Sequence, residues 1–224
     1  MRARGLAAAL AAGLSPAAVL AAEPAQLCRM AAAAAAAETG VPETVLLAIA
    51  LTESGRSVAG RLEPWPWTVN AEGEGHWFPD RATAVGFAED LVRAGRSSFD
   101  VGCFQINYRW HGDAFASVAA MFDPAVNARH AAGFLADLAL EGGGWSGAAG
   151  AYHSRTPALA ERYRTRFDTI LASLTGGAAP AGPGTAPDAP APDAAPRYSH
   201  PLLQARDAPR SPGSLVPLAP VPAT

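Results

Sequence analysis

Leu46-Leu47-Ala48-Ile49-Ala50-Leu51-Thr52-Glu53-Ser54 is the stretch on which the fold turns. Pro42 stands just before it and opens a helix, since proline presets a helical φ and lacks only an amide hydrogen that the first turn leaves unbonded. Leu46, Ile49, Ala50 and Glu53 recur at the spacing i, i+3, i+4, i+7 of a single helical face. A carboxylate thus continues an apolar stripe and is aimed at the core from the last turn. Desolvation and the negative end of the helix dipole both raise its pKa there. A carboxyl kept protonated near neutral pH suits general-acid chemistry. The competing reading is an exposed glutamate on a frayed last turn.

Helical punctuation continues on both sides. An alanine-rich helix over residues 26–38 stops at Gly40, and the helix opened by Pro42 runs to about Glu53. Asp80 can cap a third helix with the stripe Ala84, Phe87, Ala88, Leu91 and Val92. Asp123-Pro124 starts a fourth with Ala131, Phe134, Leu135 and Leu138 inward and Gly142 at its end; Thr156-Pro157 starts a fifth with Tyr163, Phe167, Ile170, Leu171 and Leu174 inward. Each pairs a start signal with a 3.6-residue period. Trp65 to Asn70 and Phe99 to Tyr108 read as β-like. The expected class is α+β, mostly α, with a small β-sheet, in one domain over residues 23–174.

The two ends differ from this middle. Arg2 and Arg4 precede an apolar run from Gly5 to Leu20, with small residues at Val19 to Ala22. That pattern predicts a cleaved signal peptide over residues 1–22; an N-terminal anchor is the other reading, disfavoured by Pro16 and the shortness of the run. Most of the chain's 20 prolines fall in residues 175–224. So little large apolar surface cannot offset ordering entropy, which predicts a disordered Pro/Ala-rich tail. Within it, residues 197–203 and 215–218 read either as docking motifs or as plain spacer.

Composition narrows the function. A chain of 224 residues with net charge −3 offers no basic surface for nucleic acid. All 17 positive residues are arginine, a mark of coding bias rather than fold. Two cysteines exclude a disulfide-rich scaffold and a four-cysteine zinc site, and His76, His111, His130, His153 and His200 are too scattered for a metal site. No metal or cofactor is expected. Export would allow a Cys28–Cys103 disulfide; two buried free thiols are the alternative. The tryptophans read mainly as core, with one or two left for a sugar cleft, and Arg155, Arg162, Arg164 and Arg166 as a solvated helix face.

Two further stretches carry chemistry. Asp100-Val101-Gly102-Cys103-Phe104-Gln105-Ile106-Asn107 is tight at Gly102, where backbone can approach a ligand, and amide-rich at its end. A spacing of two would put Gln105 and Asn107 on one strand face, suited to sugar hydroxyls and N-acetyl groups. Gly150-Ala151-Tyr152-His153-Ser154 reads as a break between helices carrying a phenol.

Leu51-Thr52-Glu53-Ser54, Gly102 to Asn107 and Ala151-Tyr152 together resemble, in order and spacing, three motifs of the soluble lytic transglycosylases of lysozyme-like fold. The resemblance spans about residues 26–170. Pro64-Trp65-Pro66-Trp67-Thr68-Val69-Asn70 and the helix after it resemble the flagellum-associated alphaproteobacterial members. The resemblance implies a monomeric periplasmic enzyme acting on peptidoglycan glycan strands. Glu53 would be the acid that cleaves the MurNAc–GlcNAc β-1,4 bond and then the base that closes a 1,6-anhydro ring. Ser54 would position Glu53, Gln105 and Asn107 would line the sugar cleft, and Tyr152 would hydrogen-bond near Glu53. The tail, or the 62–96 segment, would engage flagellar rod or other envelope-machine components. The sequence departs from the family at Phe104, often Met, at His153-Ser154, often Asn-Gly, and over Leu62 to Arg96, which replaces a short connection.

Two rivals stand beside this. Asp100 and the residues after it also resemble the corresponding strand of animal-type lysozymes, where the aspartate is a second carboxylate and water ends the reaction. As the other option, Asp100 is a strand-end residue with a structural bond. The second rival is a glycan-binding scaffold that recruits an envelope machine. A buried Glu53 argues against pure binding, because burial destabilises without chemistry in return.

Overall fold

The computed structural model describes residues 23–176. The predicted signal segment over residues 1–22, and the tail from residue 177 onward, lie outside the described residues.

The chain begins with α1 (Pro24–Thr39), which Gly40 ends in a left-handed conformation, and α2 (Glu43–Ser54). A hairpin follows, β1 (Arg56–Val58) with β2 (Arg61–Glu63), turning at Ala59 and Gly60, both with positive φ. Next come β3 (Thr68–Ala71), β4 (Glu74–Trp77), α3 (Arg81–Arg93), β5 (Phe99–Val101) and β6 (Ile106–Asn107). Four of these strands form an antiparallel sheet in the order β4-β3-β5-β6, with Asn70 opposite Asp100 and Asp100 opposite Asn107. The short helices α4 (Tyr108–His111) and α5 (Val118–Met121) lead into α6 (Pro124–Ala139), α7 (Gly144–His153) and α8 (Pro157–Thr175). The architecture is mostly helical with a small antiparallel sheet.

Capping explains the starts. The Asp80 carboxylate accepts from the Thr83 amide at 2.8 Å, and Asp123 accepts from Ala125 and Val126 at 2.9 and 3.1 Å. The core forms around α2, which packs on α1 and α8. Residues Ala48 to Ser54 are all buried, so α2 is covered on every side rather than amphipathic.

The sequence reading needs correction in three places. Residues 150–153 are not a break but the last turn of α7; the break is at Ser154. Glycines at 142, 143, 144, 147 and 150 weaken the helical signal there. Gly150 has a packing reason, since a Cβ on it would stand 3.1 Å from the Ala160 carbonyl of α8. The fourth helix ends at Ala139, short of Gly142. The β-like run over residues 99–108 is two short strands parted by a turn and followed directly by α4.

Cys28 of α1 and Cys103 of that turn are disulfide-bonded across a separation of 75 residues. In the chain-entropy model, a loop of that size stabilises the fold by about 4 kcal/mol. Reduction is therefore expected to lower the melting temperature by about 10 °C. Thermal melts with and without a thiol reductant measure it, and an unchanged melt would mean the bridge adds nothing.

Candidate active site

Glu53 is the penultimate residue of α2 and is 1% exposed. Burial raises its pKa well above the ordinary carboxylate range, and the nearby Asp100 pushes it the same way. The Tyr163 hydroxyl and the Arg166 guanidinium oppose this from α8. Glu53 Oε2 and the Tyr163 hydroxyl nevertheless have no aligned hydrogen-bond partner. They are an acceptor and a donor, both buried, that influence each other's ionisation without an aligned bond.

Ser54 joins the end of α2 to the turn over residues 102–105. Its hydroxyl proton is shared between the carbonyls of Cys103 at 2.8 Å and Ala50 at 3.0 Å, and its oxygen accepts from the Trp65 amide at 3.2 Å. Asn127 of α6 holds the turn from another side. Its Nδ2 donates to the carbonyls of Val101 and Met121, and its Oδ1 accepts from the Phe104 amide at 2.9 Å. Gly102, at φ +83, is close because of this: a Cβ would stand 2.8 Å from Asn127 Nδ2. The glycine thus admits a neighbouring side chain, where the sequence reading had a ligand.

Gln105 and Asn107 do not share a strand face. Gln105 belongs to the turn, at φ +47, and is buried. Its Nε2 donates to Thr68 Oγ1 at 3.0 Å and to the Gly102 carbonyl at 2.9 Å, leaving Oε1 without a partner. Asn107 instead donates from Nδ2 to Asp100 Oδ1 at 2.7 Å across β5 and β6, and its Oδ1 caps α4. Burial pushes Asp100 up to about 8, with the Asn107 bond opposing. Asp100 is thus predominantly protonated at neutral pH.

Tyr152, half-buried near the end of α7, donates its hydroxyl to the Phe104 carbonyl at 2.7 Å. It braces the turn rather than bonding to Glu53. It still lies near both carboxyls, whose charge, after burial, raises its pKa. The phenol in reach of Glu53 is Tyr163, which stacks on His153 with ring centres 4.6 Å apart. Burial lowers His153 to about 4, so its ring is neutral at pH 7.

Tyr163 and Asn127 were absent from the candidates read from sequence, and Arg166, read as part of a solvated helix face, is instead half-buried and acts on Glu53. The signal for each resembles that of Glu53. Tyr163 heads the inward stripe of α8, Arg166 lies three residues on, and Asn127 precedes Ala131 and Phe134 on the inward stripe of α6. Arg155 and Arg164 do pair on the surface, with Glu141 and Glu161. Among the described residues no group of three or more His, Cys, Asp or Glu could hold a metal ion, and no helix is long and apolar enough to cross a membrane. Compared with protein-family models, curated proteins and solved structures, the chain matches none.

Asp100 makes stability depend on pH. Between an unfolded value of about 4 and the native value of about 8, the native state keeps a proton that the unfolded chain has lost. Its contribution is complete below the unfolded pKa and is lost as pH rises through the native one. Asp100→Asn is therefore expected to gain on the wild type between pH 5 and pH 8.5. Urea unfolding at both pH values measures it; a difference independent of pH would show that Asp100 is ionised in the fold.

Proposed function

We propose that the chain is a peptidoglycan lytic transglycosylase with a lysozyme-like domain, and that Glu53 is its acid and base. One observation carries the reading: a glutamate in the last turn of a buried helix, its pKa raised by burial and its Oε2 unpartnered beside a phenol. A protonated carboxyl is a reagent for a leaving oxygen. In the proposed reaction the C1–O4 bond of a MurNAc–GlcNAc linkage breaks as Glu53 transfers its proton to O4. The oxocarbenium-like centre is then attacked by the O6 hydroxyl of the same MurNAc. Its proton passes to Glu53, and the 1,6-anhydro ring closes. Proton and carboxyl return to their starting state, so no second carboxylate is required.

The surroundings support those roles. Ser54 fixes the backbone on which Glu53 stands, Tyr163 and Arg166 bias its ionisation, and Gln105 Oε1 is a further unpartnered acceptor. Tyr152 and Asn107 act one step back, holding the turn and Asp100. A neutral Asp100 bonded to Asn107 is neither nucleophile nor base, which weighs against the two-carboxylate hydrolase.

The test is mass spectrometry of muropeptides released from purified sacculi, with Glu53→Gln alongside. Anhydro ends are expected from the wild type, and a loss of at least about a hundredfold from a folded Glu53→Gln protein. Reducing ends would make the protein a hydrolase. No product from a folded wild type, with sacculi still bound, would make it a glycan-binding scaffold.

The reading places the protein in the periplasm, where the wall is. It also extends to a local wall-opening role during assembly of a flagellum or another envelope-spanning machine, with the tail as the contact. Truncation after Leu174 is then expected to abolish pull-down of flagellar rod or similar components by the purified protein. Undiminished capture would rule out the tail.

A further inference from the structure

We infer that Trp77 is a stacking platform for a sugar ring of the glycan, anchored to the end of the helix that carries Glu53; this rests on the glycan reading above. Trp67 and Trp145 are buried and Trp65 and Trp110 are half-buried, whereas Trp77 is 37% exposed. It ends β4, an edge strand of the sheet, opposite Thr68. Its indole Nε1–H donates to the Ser54 carbonyl at 3.4 Å. Ser54 is the last residue of α2, so that carbonyl is one of the acceptors a helix end leaves over. The residue before it is Glu53. The helix end that presents the acid therefore also anchors the indole.

The anchoring decides what the indole can offer. Its polar edge is turned inward onto α2, so the outward part is the apolar ring. The next residue, Phe78, turns to the core and packs on Phe87 with ring centres 5.1 Å apart. An indole held by its edge, with much of its ring in solvent, matches the C–H face of a pyranose and leaves the hydroxyls on the sugar rim to water. A stem peptide has no comparable flat apolar face. Trp77 thus selects the glycan backbone over the peptide. It lies in the 62–96 segment that departs from the family pattern.

Titration of the Glu53→Gln protein with a β-1,4-linked N-acetylglucosamine tetramer, read by tryptophan fluorescence, tests this. Quenching is expected, and adding Trp77→Ala should raise Kd about fivefold to tenfold. Trp77→Phe keeps a ring face without the N–H and should restore most of the affinity, with circular dichroism confirming the fold of each variant. Tetramer binding unchanged in Trp77→Ala, with sacculi still cleaved by the wild type, would overturn the platform and leave the proposed reaction standing. Trp77→Phe as weak as Trp77→Ala would reduce Trp77 to a structural donor. Failure of the wild type both to bind the tetramer and to cleave sacculi would overturn platform and reaction together.

Discussion

Docking of the turn over residues 102–105 onto the end of α2 is the constraint on which the rest of the structure depends. A buried turn exposes backbone polar groups that water cannot reach, and each must find a partner. Here the partners come from different elements. Asn127 of α6 serves the Val101 carbonyl and the Phe104 amide. Thr68 of β3 serves the Gly102 carbonyl, Ser54 of α2 that of Cys103, and Tyr152 of α7 that of Phe104. The disulfide adds α1. Four helices and the sheet meet at a few consecutive residues, close to Glu53. Displacing that turn would unsatisfy groups on several elements at once, so its position is strongly determined.

The same convergence makes Glu53 and Asp100 tolerable. A carboxylate deprived of water is costly, and the less costly solution is to keep the proton. Both groups are pushed that way by burial, and Asp100 adds to the push on Glu53. They are resolved differently, however. Asp100 has a fixed donor in Asn107 at 2.7 Å, whereas Glu53 Oε2 faces a phenol without an aligned bond. On the proposed reading that difference assigns the roles. A satisfied carboxyl holds the sheet together, and an unsatisfied one is left to react.

Sequence periodicity exposed some of this and hid the rest for physical reasons. Pro42, Asp80, Asp123 and Pro157 are local signals whose effect is spent within one turn, so the longer helices they open were legible. Helix α7 was not, because Gly147 and Gly150 serve packing against neighbouring backbone, which no local propensity reveals. Glu53 was legible as a charge within an apolar stripe. Tyr163 and Asn127 occupy equivalent positions, but an aromatic or an amide in such a stripe passes for ordinary core. Gln105 misled because alternation was assumed to run through it. A left-handed residue resets the alternation, and only the contact with Thr68 shows why that conformation is held.

The polar atoms near the turn thus divide into two sets. Those of Ser54, Thr68, Asn107, Asn127 and Tyr152 are committed to backbone or to a neighbouring side chain. Those without an aligned bond, Glu53 Oε2, the Tyr163 hydroxyl and Gln105 Oε1, come from α2, α8 and the turn itself. Burying a donor and two acceptors without aligned bonds costs stability, although the Tyr163 hydroxyl and Glu53 still act on each other. Stability is forgone locally only where the surroundings over-determine the geometry, and the first set does that. Both sets are therefore built from the same residue types, and what distinguishes them is whether the fold has already supplied an aligned partner.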